Sequence, residues 1–500
     1  MTIEVSHQTQ HRFQTLVLPV AGSTHLKAIM AAFPELFASI ADYIRSDFKG
    51  EAGEIHQFYH AHQRVFLVGL GEHPKFGELL KAFRSFGIKC KNKIGVELGI
   101  QLQVLPEGYA DLATWAEAIV NGLFLSTYQL GKFKSEAGEA HPLLEEKARV
   151  SLLVPESTED SVQKAAQRAQ LFASTQLEIF DLVNAPANHK SPQDLARWAK
   201  NSGKKFGYRV QVLDKDAISA QGMHALLAVN QGSAEPPAFI TMEYRGKGEN
   251  IPTIALVGKG VTFDTGGLSI KPSTNMHLMK SDMGGAAAVL GTLEMAARLE
   301  LPVHLVGIIP STDNCVDATA LKPGDVIGSY SGKTIEVIDT DAEGRLILAD
   351  GLAYAIKNHA PDILIDLATL TGSAVRTFGY HAAALFSNDE NLARRLSRAG
   401  DASGERVWQL PIWDVYKEDI KSDIADVKNF SGKPAAGAIS AAKFLEFFTD
   451  NHPSWAHLDI AGVAFSETDY SPAKSASGFG IRLLITCLED LLHHSETGPE

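Results

Sequence analysis

Short apolar runs alternate along the chain with stretches whose apolar residues recur every three or four positions. The short runs predict buried β-strands, and the three- or four-residue spacing predicts helices that pack one face against a core. Strands that alternate with helices are typical of α/β domains with a mostly parallel sheet. The predicted strands are TLVLPVA, RVFLVGLG, VELGIQLQVLP and ARVSLLVP near the N-terminus, then RVQVLD, PAFITMEY, TIALVG, VHLVGIIP, IEVIDT and DILIDLATL.

A long helix is predicted between two such regions. Residues 156–183 offer a candidate cap at Ser157, acidic residues in the first turn and apolar positions at helical spacing. We therefore expect an α/β protein of two domains joined by this helix. Residues 1–155 would form a smaller N-terminal α/β domain. Residues 184–500 would form a larger C-terminal α/β domain, with a mostly parallel central sheet flanked by helices.

Charged residues follow two of the predicted strands in glycine-rich turns. VGKGVTFDTGGLSIKPSTNMHLMKSDMGG begins at the end of the apolar run at residues 254–257, and DTDAEGRLILAD begins next to the run at residues 334–338. Open α/β sheets bind their ligands at the carboxyl ends of strands, so these turns are candidate sites. Their charged residues are Lys259, Asp264, Lys271, Asp282, Asp341, Glu343 and Arg345.

The four carboxylates in this set would match the charge of two divalent cations. Paired metals roughly 3.5–4 Å apart activate water and polarise the scissile group in many hydrolases. Lys259 binds a metal only as a neutral amine, so two adjacent cations would have to lower its pKa far below about 10.4. Lys271 and Arg345 would stay charged, and they suit an oxyanion or a bound anion.

Each residue also has a purely structural interpretation. Asp264 fits a turn, Asp282 fits the N-cap of the helix GGAAAVLGTLEMAARL, and Lys259 fits a solvated turn position. The glycines complete neither the dinucleotide-binding fingerprint nor the P-loop motif. For any single residue, the structural and the functional interpretations are evenly matched.

Taken together, VGKGVTFDTGGLSIKP, KSDMGGAAAV and TDAEGRLILAD closely resemble the signature of the leucyl aminopeptidase family, the cytosolic dinuclear-metal aminopeptidases. The resemblance implies that Asp264 and Glu343 bridge the two metals. It implies that Lys259 and Asp282 complete the tighter metal site. Asp341 would complete the more exchangeable site.

The same resemblance implies the other parts of an active site. Lys271 would polarise the substrate carbonyl and stabilise the tetrahedral intermediate, and Arg345 would hold a bicarbonate ion that acts as general base. An apolar pocket would receive the N-terminal side chain of the substrate. Its lining would include Met279, Thr369, Leu370 and Gly372.

The implied activity is the release of N-terminal residues, preferentially leucine and other bulky apolar residues, from peptides. Zinc or manganese would be the metals, with magnesium and cobalt as further candidates, because such sites discriminate weakly. The resemblance also implies a homohexamer of trimers paired through a two-fold axis. It covers about residues 180–490 and is weak over residues 1–155, where the family has a smaller domain for oligomerisation and substrate access.

One position departs from the family pattern. Asp339 stands where the family motif usually has asparagine. The additional carboxylate leaves every proposed ligand in place, but it could change metal preference or local pKa values. The alternative is that Asp339 ends a strand or caps a turn.

Composition narrows the remaining function classes. A formal net charge of −13 argues against general affinity for nucleic acid or anionic membranes. The three cysteines, Cys90, Cys315 and Cys487, are scattered, which favours a reduced protein without disulfides. The first residues do not resemble a signal peptide, and no apolar run is long enough to cross a bilayer, so we expect a cytoplasmic protein.

Other reaction classes fit the sequence less well. It contains neither the H-E-x-x-H motif of zinc proteases nor the G-x-S-x-G motif of serine hydrolases. A two-metal phosphoesterase is the nearest chemical alternative, and a non-catalytic or regulatory binding protein with the same fold is the alternative from another class. Three further polar positions have structural interpretations: the histidines at His60 and His62 as surface residues, and His457 with Asp459 as a core pair or exposed residues.

Overall fold

The computed structural model describes residues 1–8, 13–105, 111–136, 138–249 and 251–495. Contacts between Cα atoms divide the chain into two compact units. The first comprises Met1–Leu177 with Asp469–Pro472, and the second comprises Glu178–Thr468 with Ala473–Glu500. The boundary falls inside one long helix, so this helix carries the chain from the first unit into the second.

Strands and helices alternate in the first unit. They are β1 (Thr2–Ser6), β2 (Thr15–Val20), α1 (Gly22–Ala32), α2 (Pro34–Phe37), α3 (Ala41–Asp47), β3 (Ile55–His60), β4 (Gln63–Gly69), α4 (Phe76–Lys89), β5 (Glu97–Gln101), α5 (Leu112–Ser126), β6 (Arg149–Leu153) and α6 (Glu159–Asn184).

The first unit is built on one sheet with a core on each face. Within the described residues its six strands run in the order β1-β6-β5-β2-β4-β3, and only β3 pairs antiparallel. Successive residues of β2 belong to different cores, because side chains alternate across a strand. Val17 packs in a cluster with residues of α4 and α5, whereas Leu16 and Leu18 pack with residues of α1, α2 and α3.

The second unit continues the alternation. Its elements, taken with the strand that spans the last unit boundary, are α7 (Pro192–Phe206), β7 (Arg209–Leu213), α8 (Lys215–Ala220), α9 (His224–Asn230), β8 (Ala238–Arg245), β9 (Thr253–Gly258), β10 (Gly260–Asp264), α10 (Gly284–Arg298), β11 (His304–Asn314), β12 (Val326–Gly328), β13 (Thr334–Glu336), α11 (Gly344–His359), β14 (Ile363–Ala368), α12 (Gly372–Phe378), β15 (Ala383–Ser387), α13 (Glu390–Ser403), β16 (Val407–Gln409), β17 (Val427–Lys428), α14 (Gly437–Phe447), β18 (Trp455–Asp459), β19 (Phe465–Thr468), β20 (Ser471–Ala476) and α15 (Ile481–Ser495).

The central sheet of the second unit is mixed, with a parallel middle. In the described part of the chain, the strand order is β16-β15-β18-β14-β9-β11-β8-β7, and β10 pairs with the end of β11. The adjacent strands β18, β14, β9 and β11 are parallel to one another. At one edge, β8 pairs antiparallel with β11, and β7 pairs antiparallel with β8. The observed sheets confirm the predicted α/β class with mostly parallel sheets.

Several sequence-based predictions of local structure were incomplete. Apolar residues recur every three or four positions over residues 25–44, which predicts helix; the structure divides this stretch into α1, α2 and α3, because Pro34 starts a new helix. The predicted strand VELGIQLQVLP ends at Gln101, and its last residue, 106, lies outside the described residues. The prediction placed IEVIDT in the central sheet, which was wrong. Its first residues form β13, which pairs with β12 and β17 in a separate small sheet.

Close packing of backbone joins α10 to the central strands. Gly258 ends β9 and Gly285 lies in the first turn of α10. A Cβ atom at Gly285 would lie 2.0 Å from the carbonyl oxygen of Leu367, and one at Gly258 would lie 2.6 Å from the carbonyl oxygen of Gly285. Only glycine permits this approach, and it brings the start of α10 against the ends of β9 and β14.

A buried polar pair lies between two of the parallel strands. Asp366 on β14 and His457 on β18 are in register and fully buried. The Nδ1 atom of His457 lies 2.6 Å from Asp366 Oδ1, and the indole N–H of Trp455 donates to Asp366 Oδ2 at 2.8 Å. His457 therefore belongs to a core pair, as predicted, but its partner is Asp366 and not Asp459.

None of the helices in the described ranges combines the length and the apolar character needed to span a bilayer. The three cysteines are free.

Replacing Gly285 by alanine should destabilise the second unit. The added methyl group must displace the backbone of β14 or α10, at an expected cost of about 1–3 kcal/mol in the free energy of unfolding. Thermal unfolding followed by tryptophan fluorescence measures this change. Gly138→Ala is the control, because a Cβ atom there meets no atom within 4 Å. Equal unfolding midpoints for Gly285→Ala and the parent would contradict the packing argument.

Replacing Asp366 by alanine should cost about 3 kcal/mol or more, because it leaves two buried N–H groups without an acceptor. Asp366→Asn should cost less, since its amide oxygen still accepts one hydrogen bond. Urea unfolding monitored by the fluorescence of the protein compares the two variants. An asparagine variant as unstable as the alanine variant would show that these hydrogen bonds contribute little.

Candidate metal centre and active-site cavity

The candidate site lies where β9, β10 and β14 end. Lys259 follows β9, Asp264 ends β10, and Thr369 follows β14. The backbone of Lys259 is held from both sides: its N–H donates to the carbonyl of Leu367 at 3.0 Å, and its carbonyl accepts from the N–H of Ala286 at 2.9 Å. The sheet and the start of α10 therefore fix the direction of the Lys259 side chain.

Lys259 is buried among three oxygen atoms. Its Nζ lies 2.6 Å from Asp282 Oδ2 and 2.8 Å from Glu343 Oε1. It also donates to the carbonyl of Thr369 at 3.1 Å. Its stem packs over Gly344, where a Cβ atom would lie 2.5 Å from Lys259 Cε. This packing explains the glycine in the D-A-E-G-R sequence.

Lys271 joins the other two carboxylates. Its Nζ lies 2.8 Å from Asp264 Oδ2 and donates to Asp341 Oδ1. The turn that carries Lys271 contains Gly266, whose φ is +87° and whose Cβ position lies 2.8 Å from Asp341 Oδ1. A side chain there would be strained and would collide with the carboxylate.

Asp341, Glu343 and Asp282 have raised pKa values. Burial, together with the charges of Asp264 and Glu343, raises the pKa of Asp341 to about 7. Burial and the nearby Asp264 also raise the pKa of Glu343, and burial raises that of Asp282 well above its usual range. Negative charge in this cluster is therefore poorly compensated by the protein alone.

The lysines show the opposite balance. Burial lowers the pKa of Lys259, but the charges of Asp282, Glu343 and Asp264 outweigh burial and raise it above its usual range. The same competition, led after burial by Asp264, raises the pKa of Lys271. The protein alone therefore keeps both lysines charged. For Lys271 this agrees with the sequence analysis, whereas for Lys259 the neutral form requires metal ions.

The residues present fit divalent cations. One carboxylate oxygen from each of Asp264, Asp341 and Glu343 lies within 4.8 Å of the others. Both oxygens of Glu343 are buried: Oε1 faces Lys259 Nζ at 2.8 Å, and Oε2 has no donor in the described chain. Asp282 Oδ2 is also buried and faces Lys259 Nζ at 2.6 Å. Buried carboxylate oxygens with so few donors are suited to metal coordination.

Arg345 is buried near the start of α11. Its Nη1 donates to the carbonyl of Asn429 at 2.7 Å, but its buried Nε has no acceptor in the described part of the chain. Burial lowers the pKa of Arg345 to about 10, against the opposing charges of Glu343 and Asp459. The guanidinium therefore stays charged at neutral pH and retains a free donor for an anion.

Asp339 caps the turn that contains Asp341. Its Oδ1 accepts from the backbone N–H of Asp341 at 2.9 Å. This is the turn-capping role that the sequence left as an alternative, and it places Asp339 beside the candidate ligands without making it one of the clustered carboxylates. Asp282, in contrast, does not cap α10, because Met283 occupies the N-cap position.

A cavity of about 470 Å³ opens beside these groups. Met279, Thr369, Leu370 and Gly372 all line it, together with Lys259, Asp264, Lys271, Asp282 and Asp341. Apolar side chains of Met276, Leu278, Val375 and Phe465 contribute to the same wall. Thr369 also donates its hydroxyl to Asp282 Oδ1 at 2.7 Å, so it holds a candidate ligand as well as lining the cavity.

Three supporting residues were missed or undervalued in the sequence. Asn314, at the end of β11, donates to Asp264 Oδ1 at 2.8 Å and to the carbonyl of Thr340 at 3.0 Å. Asn429 donates to the carbonyl of Asp339 at 2.6 Å and holds the same turn. Asp459 accepts from the N–H of Leu370 at 3.1 Å and from the hydroxyl of Thr371 at 2.6 Å, so it anchors the cavity loop.

No local sequence signal marks Asn314 or Asn429, because each acts on a segment distant in the chain. His60 and His62 lie at the hairpin between β3 and β4, which is consistent with the expectation that they are surface residues.

Among the described residues, Asp264, Asp341 and Glu343 are the acidic, histidine or cysteine side chains that lie close enough together to hold one metal ion.

Known proteins resemble this chain over almost its full length. The model of the cytosol aminopeptidase family, catalytic domain, matches residues 179–485, and the model of the same family's N-terminal domain matches residues 35–137. A protein of Chlorobium luteolum named probable cytosol aminopeptidase is 45% identical over 479 residues, which cover 92% of this chain and 94% of the relative.

Solved structures agree with this relationship. The bottromycin maturation enzyme BotP in complex with Mn superposes with a TM-score of 0.82 at 31% identity, covering 96% of this chain and 100% of that chain. A mutant of tomato leucine aminopeptidase superposes with a TM-score of 0.86 at 30% identity, covering 98% of this chain and 96% of that chain. The family and the enzyme class expected from the sequence are thereby confirmed: the chain belongs to the cytosol aminopeptidase family of hydrolases.

Proposed function

We propose that this chain, as a metal-dependent aminopeptidase, releases N-terminal amino acids from peptides and prefers leucine and other bulky apolar residues. The observation that carries the proposal is the cluster of buried, under-compensated carboxylates that opens onto a partly apolar cavity. Two divalent ions bound there would lower the pKa of a water molecule and polarise the scissile carbonyl. A peptide fits the cavity better than a phosphate ester, because much of the lining is apolar.

Each candidate ligand has a proposed role. Asp264 and Glu343 would be shared by the two ions, Lys259 and Asp282 would hold the tighter ion, and Asp341 would hold the exchangeable one. Because the protein charges raise the pKa of Lys259, the amine would have to give up a proton before it could hold a metal ion. Zinc or manganese are the proposed metals, with magnesium and cobalt as alternatives. The Mn in the BotP structure supports a divalent ion but does not choose among them.

The remaining charged groups act on the substrate and its proton. Lys271, fully charged and close to Asp264 and Asp341, donates to the scissile carbonyl as negative charge develops on its oxygen. Arg345 would hold bicarbonate with its free Nε–H, and a bicarbonate ion held there would supply a general base. The tight hydrogen bond from Arg345 to Asn429 keeps the guanidinium in place.

The side-chain preference follows from the cavity wall. Met279 and Leu370 line the cavity with Met276 and Val375, and these side chains offer apolar surface to the first residue of the peptide. Gly372 leaves open space, because a Cβ atom there meets only the end of Arg376 within 4 Å. The proposal also includes a homohexameric assembly and a cytoplasmic location, which the family resemblance supports.

Metal removal should abolish the activity. Purified protein with Mn²⁺ or Zn²⁺ should hydrolyse leucine p-nitroanilide, and a chelator should stop the reaction until metal is restored. Glu343→Ala should lower kcat/KM by about 100-fold or more, because it removes a bridging ligand. Glu300→Ala is the matched control, since that glutamate is exposed and pairs with Lys247 at 3.5 Å. Absence of hydrolysis by folded, metal-loaded protein would favour the non-catalytic binding protein or, if phosphate esters are cleaved, the phosphoesterase.

Lys271→Ala should lower kcat more than it raises KM. Its ammonium group opposes charge that exists mainly in the transition state, so a loss of about 100-fold in kcat is expected. Initial rates over a range of leucine p-nitroanilide concentrations separate the two constants, and the exposed Lys247→Ala serves as the control. A kcat equal to that of the parent would exclude the proposed role.

A further inference from the structure

The cavity beside the metal centre is lined by three cations in the described residues, and they differ in their partners. Lys259 and Lys271 are each paired with two carboxylates. Lys474 lines the same cavity, yet no carboxylate of the described chain lies within ion-pair distance of its Nζ. Lys474 is therefore a cavity cation that no carboxylate of the described residues neutralises.

Lys474 is held at its position by an aromatic neighbour. It lies on β20, and its Nζ donates to the hydroxyl of Tyr380 at 2.5 Å. The same nitrogen lies 4.2 Å from the centre of the Tyr380 ring, at cation–π distance. Tyr380 also lines the cavity. These contacts leave ammonium donors free, because an ammonium group carries three N–H bonds.

The backbone on the tyrosine side is tightly packed. Tyr380 follows Gly379, which has a φ of +61° after α12. A Cβ atom at Gly462 would lie 2.2 Å from the carbonyl oxygen of Gly379, so the loop that precedes β19 is packed directly against this turn. The same loop leads to Phe465, another cavity residue. The position of the tyrosine is therefore set by the fold of the second unit and not by the lysine alone.

The charges in the cavity are distributed unevenly. The carboxylates that line it, Asp264, Asp282 and Asp341, all belong to the candidate metal centre. The wall that contains Tyr380, Val375 and Phe465 carries Lys474 as its charged group. A peptide whose amino end and scissile carbonyl engage the metal centre must place its leaving part elsewhere in the cavity or at its opening. A cavity of about 470 Å³ is on the scale of a small ligand, so a peptide of two or three residues would end close to it.

We propose that Lys474, positioned by Tyr380, binds a carboxylate on the leaving part of the substrate and so makes the enzyme selective for short peptides. The inference rests on the proposed aminopeptidase function and extends it to the other end of the substrate. The C-terminal carboxylate of a dipeptide is the expected ligand. An acidic side chain next to the scissile bond has the same chemistry, and the test separates these two sources.

The test compares matched substrates that differ by one charge. Leucylglycine and leucylglycine amide differ in the C-terminal carboxylate, and leucyl-aspartate α-amide and leucyl-asparagine α-amide differ in the side-chain carboxylate. The measured quantity is kcat/KM for the substrate with the carboxylate divided by kcat/KM for its partner without it. The leucylglycine pair gives the first ratio, and the leucyl-aspartate pair gives the second. In Lys474→Met the first ratio should fall about five- to tenfold relative to the parent, mainly through KM, since a charge-assisted hydrogen bond at a half-exposed site is lost. Lys474→Arg should retain the ratio within about twofold.

Controls make each outcome decisive. Lys247→Met removes an exposed lysine outside the cavity and should leave both ratios unchanged. A fall in the second ratio alone would assign the acidic side chain as the ligand. Equal ratios in Lys474→Met and the parent would overturn the inference while the aminopeptidase function stands. Failure of the parent to hydrolyse any of the four peptides or leucine p-nitroanilide would instead reject the proposed function and the inference with it.

The parent protein supplies a measurement that needs no variant. Raising the salt concentration from about 0.05 M to about 0.5 M shortens the range of electrostatic attraction, so the first ratio should fall several-fold. If Lys474→Met does not fold, this salt dependence decides the matter. A ratio that is independent of salt would contradict binding of the carboxylate by an ammonium group.

Discussion

Burial of several carboxylates in one cluster is unfavourable unless cations neutralise them, and this requirement organises the catalytic unit. Asp264, Asp282, Asp341 and Glu343 converge at the ends of the central strands, and two lysines reach into the same cluster. The lysines do not suffice, because the pKa of Asp341 is raised to about 7 and Glu343 Oε2 has no hydrogen-bond donor in the described chain. The cluster thus carries excess negative charge, which divalent cations would neutralise.

Rigid backbone supports this arrangement. Gly285 allows the start of α10 to touch β14, and this contact fixes Lys259 between strand and helix. Asn429 binds the turn from Asp339 to Ala342 with its side chain and Arg345 with its carbonyl. The ligands are therefore oriented by hydrogen bonds from surrounding segments, as tuned metal sites require.

The cavity combines three environments that a peptide substrate presents in order. In the proposed function, the metal centre would bind the amine and the scissile carbonyl, the apolar wall around Met279 and Leu370 would receive the first side chain, and Lys474 would offer a charge to the leaving part. Asp459 links the apolar wall to the sheet, because it ends a central strand and anchors the loop that carries Leu370. Binding and chemistry thus depend on the same framework.

The sequence alone was sufficient for the class of fold and for the family. Buried strands, amphipathic helices and the spacing of charged residues around glycines are local features, and each can be recognised within a single segment. The spacing made Lys259, Asp264 and Glu343 candidate ligands, and the resemblance of the motifs to a known signature supplied the family. The sequence placed β13 in the wrong sheet. A short strand carries no signal for its partner, because strand pairing depends on residues that are distant in the chain.

Only the tertiary structure decided the contacts between segments. It paired Lys259 with Asp282 and Glu343, and it brought Asn314, Asn429 and Asp459 to their positions around the site. It also placed Lys474 in the cavity beside Tyr380, a residue 94 positions away in the chain. Such contacts leave no periodic or motif signal, because they arise when strands far apart in sequence end at the same edge of a sheet.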